Sequence, residues 1–171
     1  RQTQTGKFAG SKFTMTRYIL LFTAIVQLAA CTSTKHLPEM TLYAIRLSPG
    51  QDLKKELTAF VREKNLQAAF IVTCVGSLQQ AILRLANQPG AITRVEKFEI
   101  VSLTGTLSPD GAHLHIALSD SIGTTIGGHL LDGNLIYTTA EIVIGEAGGL
   151  IFKRETDPAT TYKELKVYKR E

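Results

Sequence analysis

Residues 96–118 read EKFEIVSLTGTLSPDGAHLHIAL, and this stretch decides the fold. Residues 96–106 are β-prone and predict a strand, with Phe98 and Ile100 on one face and Glu99, Val101 and Leu103 on the other. Ser108-Pro109-Asp110-Gly111 then turns the chain, since proline presets its own φ and glycine tolerates positive values. Residues 112–118, AHLHIAL, alternate apolar and polar positions, which predicts a second strand. Its period of two puts His113 and His115 on one face, roughly 7 Å apart along the strand, and Leu114, Ile116 and Leu118 on the core side.

The same signals recur on either side. Residues 41–47, TLYAIRL, alternate as a half-buried strand does. Ser48-Pro49-Gly50 turns the chain, and Asp52 opens a helix over about 51–64. Leu53, Leu57, Phe60 and Val61 share its inner face at i, i+4, i+7 and i+8. Residues 68–75, AAFIVTCV, form a near-continuous apolar run, the pattern of a strand covered on both sides. Gly76-Ser77 is expected to break it before a further strand at 80–86, and Asn87-Gln88-Pro89-Gly90 is read as a loop. Beyond the opening stretch, GTTIGGHL (123–130) is a glycine-rich return and LIYTTAEIVI (135–144) a long strand. Short strands at 149–153 and 164–168 complete about seven strands against one main helix. That balance predicts a single α+β domain over 40–171, with a mixed, largely antiparallel sheet.

The chain of 171 residues is of one-domain size, with 44% hydrophobic and 20% charged residues. Its formal charge of +4 would suit a polyanion partner, but four of the 19 basic residues are Arg1, Lys7, Lys12 and Arg17. From residue 32 onward 15 basic residues meet 15 acidic ones, so the domain is neutral. Nucleic-acid binding, which needs a basic face, is disfavoured. The two cysteines, Cys31 and Cys74, form no CxxC pair, and Cys74 reads as a buried small hydrophobe.

Residues 1–31 read as a leader. The uncharged segment ILLFTAIVQLAA (19–30) follows Lys12 and Arg17 and is of signal-peptide length rather than membrane-span length. It ends in Leu28-Ala29-Ala30-Cys31, which resembles a bacterial lipobox. Met15–Cys31 is therefore the expected lipoprotein-type signal, with Cys31 the lipidation site and the cell envelope the expected location. A secreted or organelle-targeted protein is the alternative. Residues 32–39 read as a linker.

His113 and His115 on one strand face can share a metal ion. His129 follows Gly127-Gly128, where backbones approach closely, so a third nitrogen could reach the same point. Three neutral imidazoles with an open fourth position suit a divalent ion, zinc first, and such an ion acidifies a bound water. Spacing alone equally allows two solvated histidines with no role. Glu99 and Glu141 are candidates for orienting a ligand histidine or acting as a base. The competing role is pairing with Arg84, Arg94 or a neighbouring subunit. No glycine-rich phosphate-binding fingerprint is present, and no nucleophile has a base nearby in pattern.

LSPGQDL (47–53), GSLQQAILR (76–84), FEIVSLTGTL (98–107), HLHIAL (113–118), GGHL (127–130) and TTAEIVI (138–144) occur in the order seen in the PPC (plant and prokaryote conserved) domain, also called domain of unknown function 296. The chain resembles that family over nearly all of 40–168. The resemblance implies a mostly antiparallel sheet flanked by helix, a homotrimer, and a metal cluster at His113, His115 and His129 near the subunit junction, as in prokaryotic-type members. The AT-hook that lets plant members bind DNA has no counterpart here. The tail FKRETDPATTYKEL (152–165) departs from the family: Thr161 stands where glycine is usual, which bears on Arg154 and Asp157. The expected function is a trimeric domain binding a divalent metal and a small-molecule ligand, anchored to a membrane by its N-terminal lipid. The alternatives are a DNA-binding or regulatory module and a metal-dependent hydrolase or lyase; the sequence names no reaction.

Overall fold

The computed structural model describes residues 39–170. The expected leader over 1–31, its Cys31, and the linker up to residue 38 lie outside the described residues. No helix among those described is long and apolar enough to cross a membrane.

The chain runs β1 (Met40–Leu47), α1 (Leu53–Glu63), β2 (Ala69–Arg84), β3 (Ala91–Arg94), β4 (Phe98–Ser108), β5 (Gly111–Ser119), β6 (Thr125–Leu130), β7 (Leu135–Ala147), β8 (Leu150–Thr156) and β9 (Lys163–Lys169). It is the expected α+β domain. Seven strands form one sheet in the order β1-β7-β2-β4-β5-β6, with β3 also on β2, while β8 and β9 make a separate ribbon. Every pairing among the described strands is antiparallel. The end of β2 also pairs with β6, so the path β2-β4-β5-β6 returns to β2 and closes a ring.

Asp52 caps α1 by accepting from the backbone N–H groups of Lys54 and Lys55, two of the donors a helix start leaves open. Its other carboxylate oxygen accepts from the Gly133 N–H at 2.6 Å, which ties the helix start to the loop before β7. Leu53, Leu57 and Val61 are fully buried, and Phe60 packs edge-on against Tyr43. The core continues through Leu78, Leu83, Phe98, Leu107, Leu118, Ile136 and Ile142. Buried Asn134 acts as a strand neighbour would. Its side chain accepts from the Ile82 N–H and donates to the carbonyls of Ile82 and Leu131.

Three expectations change. Gly76 does not end a strand, and β2 runs unbroken from Ala69 to Arg84. At φ 150° its bare Cα lets the β7 backbone come close enough that a Cβ would sit 2.1 Å from the Thr139 carbonyl. Second, Leu103 is buried with Phe98 and Ile100, because the register slips by one residue at Val101 and turns the rest of β4 over. Third, a similar slip at Val72 leaves Val72, Thr73 and Val75 outward and exposed, so β2 is covered on one side only within a single chain. The strand β3, directly after the Asn87–Gly90 loop, was not anticipated.

Candidate metal centre

β5 holds to its alternation: Leu114, Ile116 and Leu118 are buried while His113 and His115 face outward. β6 pairs beside it with His129 directly opposite His115. This approach is tight at both glycines before His129 and leaves no room for a side chain at Gly128. A Cβ on Gly127 would lie 3.0 Å from the Ile116 carbonyl, and one on Gly128 2.7 Å from the Arg84 carbonyl. The bare backbone lets β6 fit between β5 and the end of β2, and that fit carries the third imidazole to the other two.

The three rings converge on one point. His113 Nε2 lies 3.1 Å from His115 Nε2 and 3.2 Å from His129 Nδ1, and the last two atoms are 3.0 Å apart. At most one N–H can sit between such nitrogens, and the remaining lone pairs repel unless a cation lies among them. An ion at about 2.05 Å from each nitrogen would subtend N–ion–N angles of about 95–105°, between octahedral and tetrahedral values. The triangle is therefore the right size for a first-row divalent ion, with the outward side left open. Among the described residues these three form the one group of histidine, cysteine or carboxylate side chains close enough to share an ion.

Burial holds the His113 imidazole below its ordinary pKa, helped by the charges of His115 and Arg154. Burial lowers His129 as well, followed by Arg84 and the other two histidines. Both therefore favour the neutral form that ligates a metal. Arg154 donates from Nη2 to Thr106 Oγ1 at 2.6 Å, and Thr106 is the cross-strand partner of His113. Arg84 is the cross-strand partner of His129. An open cleft of about 720 Å³ adjoins the cluster, with His113, His129, Arg84 and Arg154 on its walls.

Within one chain, neither Glu99 nor Glu141 reaches the histidines. Glu99 sits opposite Ser119, five residues along β4 from the partner of His115, about 16 Å away at strand rise. Glu141 sits opposite Arg46 and Val75, on a strand separated from β5 by β2 and β4. Alternation placed both on an outward face but could not say which strands lie between. Cys74 is buried, which pushes its thiol up to about 12, and it is not among the side chains close enough to share an ion with the histidines. The groups missed from sequence are Arg84 and Thr106, whose link to the site is a non-local strand pairing. Thr161 keeps a left-handed φ of 64°, glycine's usual conformation, and the turn closes through Thr161 N–H to the Asp157 carbonyl at 2.8 Å. The tail thus retains its turn, at a cost of about 1–2 kcal/mol for a residue with a Cβ, and Arg154 in β8 lines the cleft.

A family model described as the Plants and Prokaryotes Conserved (PCC) domain matches residues 35–148. The bifunctional protein GlmU of Synechococcus sp. (strain JA-3-3Ab) is 52% identical over 130 residues, which cover 76% of this chain and 21% of that protein. The chain thus spans about a fifth of the length of this relative. A solved hypothetical protein from Salmonella enterica superposes with a TM-score of 0.77 at 42% identity, covering 78% of this chain and 97% of that one. A metal-containing protein from Archaeoglobus fulgidus superposes with a TM-score of 0.64 at 25% identity, covering 74% and 93%.

Proposed function

The chain belongs to the Plants and Prokaryotes Conserved domain family, and from that premise we propose that it is a metal-binding domain whose His113, His115 and His129 hold one divalent ion, zinc first. One observation carries this reading: three ring nitrogens within 3.0–3.2 Å of one another, facing a common point. The similar Archaeoglobus protein, described as metal-containing, supports it. The ion's open side and the adjoining cleft suit a small ligand rather than a purely structural role.

We further propose that the domain works as a homotrimer. Leu42, Val72, Val75 and Val101 are all at least half exposed on a single chain, and burying them against neighbouring copies would remove that apolar surface from water. The neutral charge balance of the domain argues against a DNA-binding role. If the lipobox at Leu28–Cys31 is processed, the domain acts at the cell envelope, and Cys31 is its anchor.

Elemental analysis after purification without chelators tests the centre. The expected result is one metal equivalent per chain in the wild type. In His113→Ala and His129→Ala, affinity should fall by more than the about 10–100-fold typical of losing an outer-shell partner. Wild-type protein without stoichiometric metal sinks the reading.

A further inference from the structure

We infer that the cleft beside the histidines binds a small oxyanion, a carboxylate or phosphate group held between the guanidiniums of Arg84 and Arg154, with the metal's open position as a third contact. That third contact rests on the metal reading above; the first two do not.

Arg84 is built into the site through strand pairing and Arg154 through a side-chain hydrogen bond. Arg84 lies directly across from His129, and Arg154 is fixed by its bond to Thr106, directly across from His113. The two guanidiniums therefore flank the imidazoles from different strands and share one concave wall. Neither is in an ion pair there. Among the described residues, carboxylates pair with Lys54, Lys55, Lys64 and Lys166, while neither Arg84 nor Arg154 has a carboxylate oxygen within 4.0 Å. Glu164 and Asp110 act on the Arg154 guanidinium only through their charge, and Asp110 accepts from the Arg154 backbone N–H at 2.6 Å.

The charge of the lining follows. Lys54 is taken up by its ion pair with Asp132, so Arg84, Arg154 and Lys163 face Asp110 and Glu164, an excess of one positive charge before any metal is counted. Half-buried like charges that share a concave surface repel, and an anion between them removes that cost. Guanidinium forks match the oxygens of a carboxylate or phosphate two at a time, which lysines on an open surface do not. At about 720 Å³ the cleft has the size of small-molecule sites rather than of a nucleic-acid groove.

Calorimetric titration of metal-loaded full-length protein with inorganic phosphate, and separately with malonate, tests the assignment. Saturable binding of either anion at one site per chain is expected, and the better of the two identifies the group preferred. Arg84→Gln and Arg154→Gln should each weaken it about 10–100-fold, as expected for charge-assisted hydrogen bonds, with metal content unchanged. Arg84→Lys should recover part of the loss. If Arg154→Gln melts early through loss of its Thr106 bond, the Arg84 variants carry the comparison. No saturable binding of either anion up to about 10 mM overturns the proposal, as does binding undiminished in the Gln variants. Should the wild type hold no metal, the metal reading fails by itself. The same titration on metal-free protein then decides the anion site, since arginine-dependent binding must persist.

Discussion

At His113 and His129 the protonated ring is disfavoured, first by burial and then by nearby positive charge. The unfolded chain, with histidines near 6.5, takes up protons before the folded one as pH falls. Stability contributed by these two rings is thus fully present above about pH 6.5 and declines below it, levelling off beneath the lowered native values. Metal binding has the same direction, because a proton and an ion compete for each nitrogen. In an NMR titration of the metal-free protein, the ring protons of His113 and His129 should show midpoints below 6.5. Midpoints at or above the ordinary value in both would show that the cluster does not crowd its charges as described. Arg84 and Arg154 are part of the cause, so Arg84→Gln should move the His129 midpoint back upward.

β6 is the element on which the site depends, and it depends on having no Cβ at residue 128. An added methyl would meet the Arg84 carbonyl at 2.7 Å, a backbone atom that cannot swing aside. Gly128→Ala is therefore expected to push β6 off the end of β2 and to destabilise the domain by about 1–3 kcal/mol, the usual cost of overpacking. Metal affinity should drop although all three ligands are intact, because His129 moves with its strand. Gly90→Ala, whose Cβ would meet nothing within 4 Å, is the control and should leave both quantities unchanged. Equal melting temperatures and equal metal content for the two variants would show that close strand approach does not set the site. β2 shows the same principle on a larger scale, since slips at Val72 and near Gly76 let one strand bend enough to serve β3, β4, β6 and β7.

At the scale of the whole molecule, the outward face of β1, β2 and β4 exposes apolar side chains that a neighbouring copy would cover. Val75 is 59% exposed and Leu42 55%, on the side of the sheet from which His113 and His115 also project. Burying a valine is worth about 1.5–3 kcal/mol per copy, so a trimer gains this three times over. Light scattering should give three times the chain mass for the wild type and a smaller particle for Val75→Lys, with the fold retained by circular dichroism. A monomeric wild type at micromolar concentration would end the trimer proposal.

Local pattern alone was enough for a good part of this protein. Alternation in AHLHIAL determined which side chains of β5 face the core, the i, i+4 spacing determined the buried stripe of α1, and glycines before His129 marked a close backbone approach. These are short-range consequences of strand and helix periodicity, and they hold wherever the element is placed. Tertiary structure decided the rest. It put His129 opposite His115, returned β2 to β6 so that Arg84 joined the site, and set Glu99 and Glu141 away from it. It also turned Leu103 inward through an extra residue at Val101. Strand partners and register slips are fixed by closing the sheet around its core, where the gain comes from contacts between distant residues. No window of neighbouring side chains carries that information, so the histidines were visible in the sequence and the cleft beside them was not.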